Sequence, residues 1–413
     1  MSKIPSHSEV LILGGGPAGI EAALRARHAG YQTTLLEAGS IGDSVLRWEH
    51  VRLFSPWGLH ISKLGKEALA AQGSVPLEEN ALCSGAELVE RYLLPLAGSQ
   101  QLHGCVHTGV KAIAAARVNT LKGELIADAC RGDQPFRVLW TQDDQEGTTE
   151  CQILIDATGV YRTPNPSGCG GLTAPGEGRA AAQILRHMPD PMGRDRPRLS
   201  GKRILLVGAG YSAATVVRDL VNLLEEVPET RLTWAVRHQR PPVTEIANDP
   251  LPERQQLSRI ANAIAAEPPC GLNVLRGVSV SSFQQQPRGV RVVLEGDGRE
   301  IPVEVDWVIS LTGYRPDLSL LAELQVHHCY ATDGLMKISA HLLASDNGGD
   351  CLSAEPASPD TLQNPEPRLF IIGSKSYGRY PHYLMRTGIQ QVELVFGSLL
   401  EARHAGQGSE QRP

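Results

Sequence analysis

Two glycine-rich phrases in one chain, each placed where an apolar strand should turn into a helix, restrict the architecture more than any other feature of these 413 residues. "VLILGGGPAGIEAAL" begins at Val10 and "ILLVGAGYSAATVV" at Ile204. In the first, Gly14, Gly16 and Gly19 spell G-x-G-x-x-G. The first glycine permits a tight turn, the second lets a pyrophosphate approach the backbone, and the third lets helix and strand pack closely. Pro17 and Ala18 open the helix, whose free N–H groups and dipole favour an anion. In the second, Gly208, Gly210 and Ala213 give the G-x-G-x-x-A variant, with Tyr211 and Ser212 opening the helix.

Around each turn the order is strand, turn, helix, strand. The spacing predicts helices over 17–28 and about 212–224, followed by the strands "TTLLEA" and "RLTWAVR". Downstream, "FRVLWTQDDQEGTTECQILIDATG" parallels "GVRVVLEGDGREIPVEVDWVISLTG", each a hairpin feeding a buried strand that stops at Thr-Gly: Thr158-Gly159 and Thr312-Gly313. One module therefore occurs twice. The expected class is α/β, with two Rossmann-like three-layer domains. A Pro/Arg-rich segment, 187–200, reads as a linker, residues 344–367 as a long loop, and 404–413 as a frayed tail.

The two second strands end on opposite charge. Glu37 closes the first, 23 positions after Gly14, where a carboxylate accepts both ribose hydroxyls of an adenosine. The second ends in Arg237, His238 and Arg240. Guanidinium there clamps a 2′-phosphate, and solvated surface cations are the alternative. The first cradle thus suits FAD and the second NADP(H), a pairing that serves hydride transfer from nicotinamide to flavin.

Net charge is −6 with no long run of one sign, so neither nucleic acid nor an anionic membrane is an expected partner. A small-molecule substrate is, and a homodimer is the default assembly. The opening "MSKIPSHSEV" lacks the pattern of a secretion signal and no apolar run reaches bilayer length, which leads to the expectation of a soluble cytoplasmic protein. Eight cysteines occur and the closest two are 18 apart, so neither a local redox pair nor a metal ribbon is expected. The "HHC" run at His327–Cys329 lacks a second ligand pair; no metal is expected.

These phrases, with "SLTGYRPD" and "FIIG", resemble the two-dinucleotide-binding-domain flavoproteins, which include thioredoxin reductase, glutathione reductase and class B flavin monooxygenases. The resemblance implies a FAD domain split by an inserted NADPH domain: 1–186 and 306–403 around 201–305. It also implies that Ser212 and Arg237 serve NADPH, and that Trp48, Arg52 and Ser55 in "SVLRWEHVRLFSPW" lie near the flavin. Core packing is the other reading of Trp48 and Trp57. The chain departs from these relatives in having no CxxC, no F-x-G-x-x-x-H, and Gly373 followed by Ser374-Lys375 where the reductases carry Gly-Asp.

"GSKSYGRYPHYLMRTG", from Gly373 to Gly388, reads either as the flavin-facing wall or as a surface loop. It offers Lys375, Arg379, Arg386 and three tyrosines for developing negative charge, with Tyr377 and Arg379 the expected catalytic groups and Thr387-Gly388 opening the last helix. His187 reads either as helping to seat the nicotinamide or as solvated, with solvated the expectation, and Cys351 as either a reactive or an inert thiol. A FAD- and NADPH-dependent monooxygenase is the first expectation, a flavin reductase serving a protein or quinone the second, and a flavin-binding sensor the third.

Overall fold

The computed structural model describes residues 3–345, 358–381 and 383–409; Cys351 lies outside them. The chain divides into two units, one made of 1–163 with 315–413 and the other of 164–314.

In the first unit, His7–Leu13 is flanked by parallel partners on both sides, Thr33–Glu37 and Gln145–Asp156. Every residue from Val10 to Leu13 is fully buried, as a continuous apolar run in a central strand requires. The sheet continues to Val106–Thr108 at one edge and, through an antiparallel meander, to Phe136–Gln142 and Val110–Arg117 at the other. Leu369–Ile371 returns from far along the chain to pair with Leu154–Asp156. The helix Pro17–His28, with proline in its first turn where the missing N–H costs nothing, packs on the closing helix Met385–Ser409.

The second unit repeats the plan. A parallel five-stranded sheet runs Leu272–Arg276, Arg231–Val236, Arg203–Val207, Trp307–Ser310 and Ile184–Leu185. Tyr211–Glu226 and Pro252–Ala266 pack against each other, and Ser279–Gln285, Val290–Gly296 and Arg299–Val305 form an antiparallel sheet.

Details of the fold differ from the sequence expectation. The first boundary falls at Pro164 rather than near 187, because Ile184–Leu185 pairs with Trp307–Ser310 and so belongs to the second sheet. The 187–200 segment lies inside that unit and contains the short helix Arg196–Leu199. The second boundary falls at Tyr314/Arg315 rather than 305/306, since Trp307–Ser310 is central to the second sheet. Within 344–367, residues 344 and 345 finish the helix Met336–Ser345 and Pro359–Leu362 forms a helical turn, and in place of a frayed tail from 404 the closing helix continues to Ser409.

Candidate functional site

The first glycine turn is built as its spacing demands. Gly14 has φ +104°, and a Cβ there would stand 2.5 Å from the Ala157 carbonyl oxygen. A Cβ on Gly19 would lie 1.8 Å from the Gly14 carbonyl oxygen, so only glycine lets helix and strand approach this closely. Nothing stands within 4 Å of a Cβ on Gly16, which leaves that face of the turn open. The helix that follows has no side-chain cap, so its first-turn N–H groups are free for an anion. These glycines fit a dinucleotide: two close against protein and one faces open space.

Glu37 is buried beside the turn. Its Oε2 accepts the Gly15 N–H at 2.6 Å and its Oε1 the Gly39 N–H at 2.6 Å. Arg162 reaches the same Oε1 at 3.2 Å and Asp43 at 2.9 Å. That edge of the turn therefore carries the expected acid together with a cation that sequence reasoning overlooked.

Behind the turn, the Asp156 carboxylate closes the central strand. Its Oδ1 accepts both the N–H and the hydroxyl of Thr158, at 3.0 and 2.6 Å. Lys375, 1% exposed, donates to Asp156 Oδ2 at 2.6 Å and to Thr158 Oγ1 at 3.1 Å. Thr158-Gly159 is thus the lip of the cradle, and Ser374 lies against Gly159.

Gly373 packs against Ala18 and the Tyr383 hydroxyl, and Gly388 against the same two. Thr387-Gly388 lies in the first turn of Met385–Ser409. Tyr377 is buried with its ring edge-on to Tyr383, at 5.6 Å between centroids, and burial pushes the Tyr383 phenol up. Arg379 is at the surface, its Nε 2.5 Å from Asp333. Of the three cations expected to face inward, Lys375 does, whereas Arg379 and Arg386 are exposed.

Trp48 is half-buried against Gly85 and the core, while Trp57 is a core residue. Arg52 is exposed. Ser55 is buried and bonds His60 at 3.1 Å.

The second unit holds the matching cradle. Gly208 has φ +133° and a Cβ there would stand 2.3 Å from the Leu311 carbonyl oxygen, whereas Gly210 faces open space. Ala213 is buried in the helix–strand contact. Trp234 fixes the turn by donating to the Gly208 carbonyl at 2.8 Å. Arg237, His238 and Arg240 are exposed beyond the end of Arg231–Val236, and the Arg237 guanidinium donates to His238 Nε2 at 3.3 Å. Thr312 donates to the Asn165 carbonyl at 2.9 Å and Asn165 Nδ2 donates back to the Thr312 carbonyl at 3.1 Å, beside Gly313. His187 is not solvated as expected. It stacks on Tyr314 at 5.9 Å, with a 3.2 Å hydrogen bond, because the 187–200 segment is folded into this unit.

Asp156, Arg162 and Asn165 were missed by sequence reasoning. The signal for Asp156 was present: the two repeats end in "DATG" and "SLTG", and the acid is where they differ.

The model of the pyridine nucleotide-disulphide oxidoreductase family matches residues 8–342. The chain belongs to that family. Its members depend on a flavin and a pyridine nucleotide, in keeping with two glycine cradles of this geometry. Dihydrolipoyl dehydrogenase of Staphylococcus aureus is 22% identical over 337 residues, 81% of this chain. The chain spans 62% of that relative's length. Among solved structures, bacillithiol disulfide reductase Bdr of Staphylococcus aureus matches 96% of this chain and 99% of its own, with TM-score 0.69 and 16% identity. Kutzneria sp. 744 ornithine N-hydroxylase matches 96% and 100%, with TM-score 0.63 and 14% identity. Reductases and hydroxylases alike share the fold.

Proposed function

We propose that this oxidoreductase uses NADPH and FAD to oxygenate a small molecule. FAD, seated in the first cradle by the Gly14–Gly19 turn and Glu37, would supply a two-electron carrier that nicotinamide reduces and oxygen reoxidises. The second cradle would take NADPH, with Arg237 and Arg240 on the 2′-phosphate.

The observation that carries the reading is the state of the thiols. The closest two cysteines of the sequence are 18 residues apart. Cys83 and Cys105 are buried and pushed up to about 12 and about 11 by desolvation, and burial also pushes Cys151 up. A disulfide relay needs a low-pKa, accessible pair. The sequence has no closely spaced cysteine pair, and Cys329, where the raising effect of burial is outweighed by hydrogen bonds at Ala331 and Thr332 that hold the thiol down, is itself buried, so oxygen chemistry on a small substrate is favoured. The chain's own residues then grip each ribose, hold the Thr158 lip, and line the Gly373–Gly388 wall with tyrosines that exclude water. Among the described residues no helix is long and apolar enough to cross a membrane.

A second reading, electron transfer to a quinone or protein, is favoured by the structural likeness to reductases. Rapid mixing of FAD-loaded protein with NADPH and then oxygen separates the two, with candidate amines and thioethers as substrates. Oxygenated product matching NADPH consumption is expected. Stoichiometric peroxide with every substrate, and fast turnover only with quinones, would overturn oxygenation.

A further inference from the structure

The buried Asp156–Lys375 pair is a charged cluster at the first cradle that the proposed function does not use. Asp156 comes from the 1–163 segment and Lys375 from the 315–413 segment, so the contact joins the two halves of the split unit. Both side chains are withdrawn from water, at 0% and 1% exposure. Removing two charges from water is costly, and an apolar pair would pack at least as well. A role in stability alone therefore does not account for it.

Position supplies the reason. Asp156 is followed directly by Ala157 and Thr158, the residues a Gly14 Cβ would strike at 2.5 and 3.1 Å. A carboxylate so close to the turn, in a low-dielectric setting, would repel the two charges of a pyrophosphate. Lys375 cancels that charge, and its second hydrogen bond fixes the Thr158 hydroxyl. The second cradle achieves the same end without charge. There Ser310 stands at the register position of Asp156, and the Asn165 amide and carbonyl hold Thr312.

We propose that Lys375 is a positioning residue for the flavin dinucleotide, neutralising Asp156 so that the pyrophosphate meets an uncharged edge and a fixed Thr158-Gly159 lip. The inference rests on the reading of the first cradle as the FAD site. Its signature is an asymmetry that a purely structural ion pair would not show. Lys375→Met leaves the acid and should weaken FAD binding by at least about 30-fold, whereas Asp156→Asn leaves the ammonium and should change it by less than about 3-fold, although both lower the melting temperature. Lys375→Arg should restore most of the affinity.

The experiment is FAD titration of apoprotein by flavin fluorescence, with thermal unfolding of each apo variant alongside. If Lys375→Met does not fold, Asp156→Asn/Lys375→Met takes its place: with no charge left to neutralise, the double variant should bind FAD within about 3-fold of wild type. Equal affinities for the two single variants, or a double variant that binds at least about 10-fold more weakly than wild type, overturn the proposal while the FAD reading stands. Wild-type protein that takes up no FAD overturns both.

Discussion

Beside the first glycine turn the central strand ends in Asp156, and at the same register beside the second it ends in Ser310. The ribose edges differ in the same manner, with Glu37 buried against backbone N–H groups in one and Arg237 exposed in the other. The helices differ too. Glu21, buried in the first, corresponds by spacing from the turn to Thr215 in the second, whose hydroxyl is satisfied by the Tyr211 carbonyl at 3.0 Å. At these equivalent positions one backbone path thus carries buried charge in one unit and neutral groups with a basic rim in the other. The path is dictated by glycine sterics, and the charges are free to specialise the ligand.

The largest effects should come from the glycines that both units share. Gly14→Val and Gly208→Val force a Cβ into a carbonyl at positive φ, and each should lose several kcal/mol, roughly 3–5, or fail to fold. Chemical denaturation checks this, and tolerance of either would break the equivalence of the turns. Gly16→Val and Gly210→Val should instead leave melting temperature unchanged, since nothing lies within 4 Å of those Cβ positions. Titration should show each losing its own dinucleotide by about 100-fold or more while keeping the other. Loss of both ligands from one substitution would contradict separate sites.

A smaller effect isolates the basic rim. Arg237→Gln should raise the KM for NADPH by roughly 10- to 50-fold, the worth of a charge-assisted phosphate contact, and leave that for NADH unchanged. Steady-state kinetics with both nucleotides decides it.

The smallest effect concerns Glu21, which burial holds above the ordinary carboxylate value of 4.5 even with Arg25 at 3.7 Å. For an acid raised in the folded state, stability is full below the unfolded value and is lost as pH rises through the folded one. Glu21→Gln should therefore be more stable than wild type at neutral pH, with the advantage shrinking as pH falls through the raised folded value and gone below about 4.5. Melting curves across pH test it; a gain that persists at low pH would point to packing rather than ionisation.

Much of this was legible in the chain itself. The helix Pro17–His28 and the strand Thr33–Glu37 stand where the glycine spacing and apolar runs put them, because local sterics and periodicity act over a few residues. The Asp156–Lys375 contact was not legible, since its partners are 219 residues apart and nothing in either neighbourhood names the other. The two-residue strand Ile184–Leu185 was also hidden, being too short to show a period and assigned only by its partner Val308–Ile309. Arg379 was expected inside on residue type alone. Which of two nearby cations turns inward depends on where a buried acid waits, and that acid belonged to a distant strand.

The return of Leu369–Ile371 to the edge of Leu154–Asp156 has a consequence for synthesis on the ribosome. The segment 164–314 emerges whole and has all of its own strands in hand before residue 315 is made. The first-translated half must wait with an open edge and an unneutralised Asp156 until Leu369–Ile371 and Lys375 leave the exit tunnel. Birth order and completion order are therefore reversed, and a chain released early would keep a finished inner module inside an unfinished host.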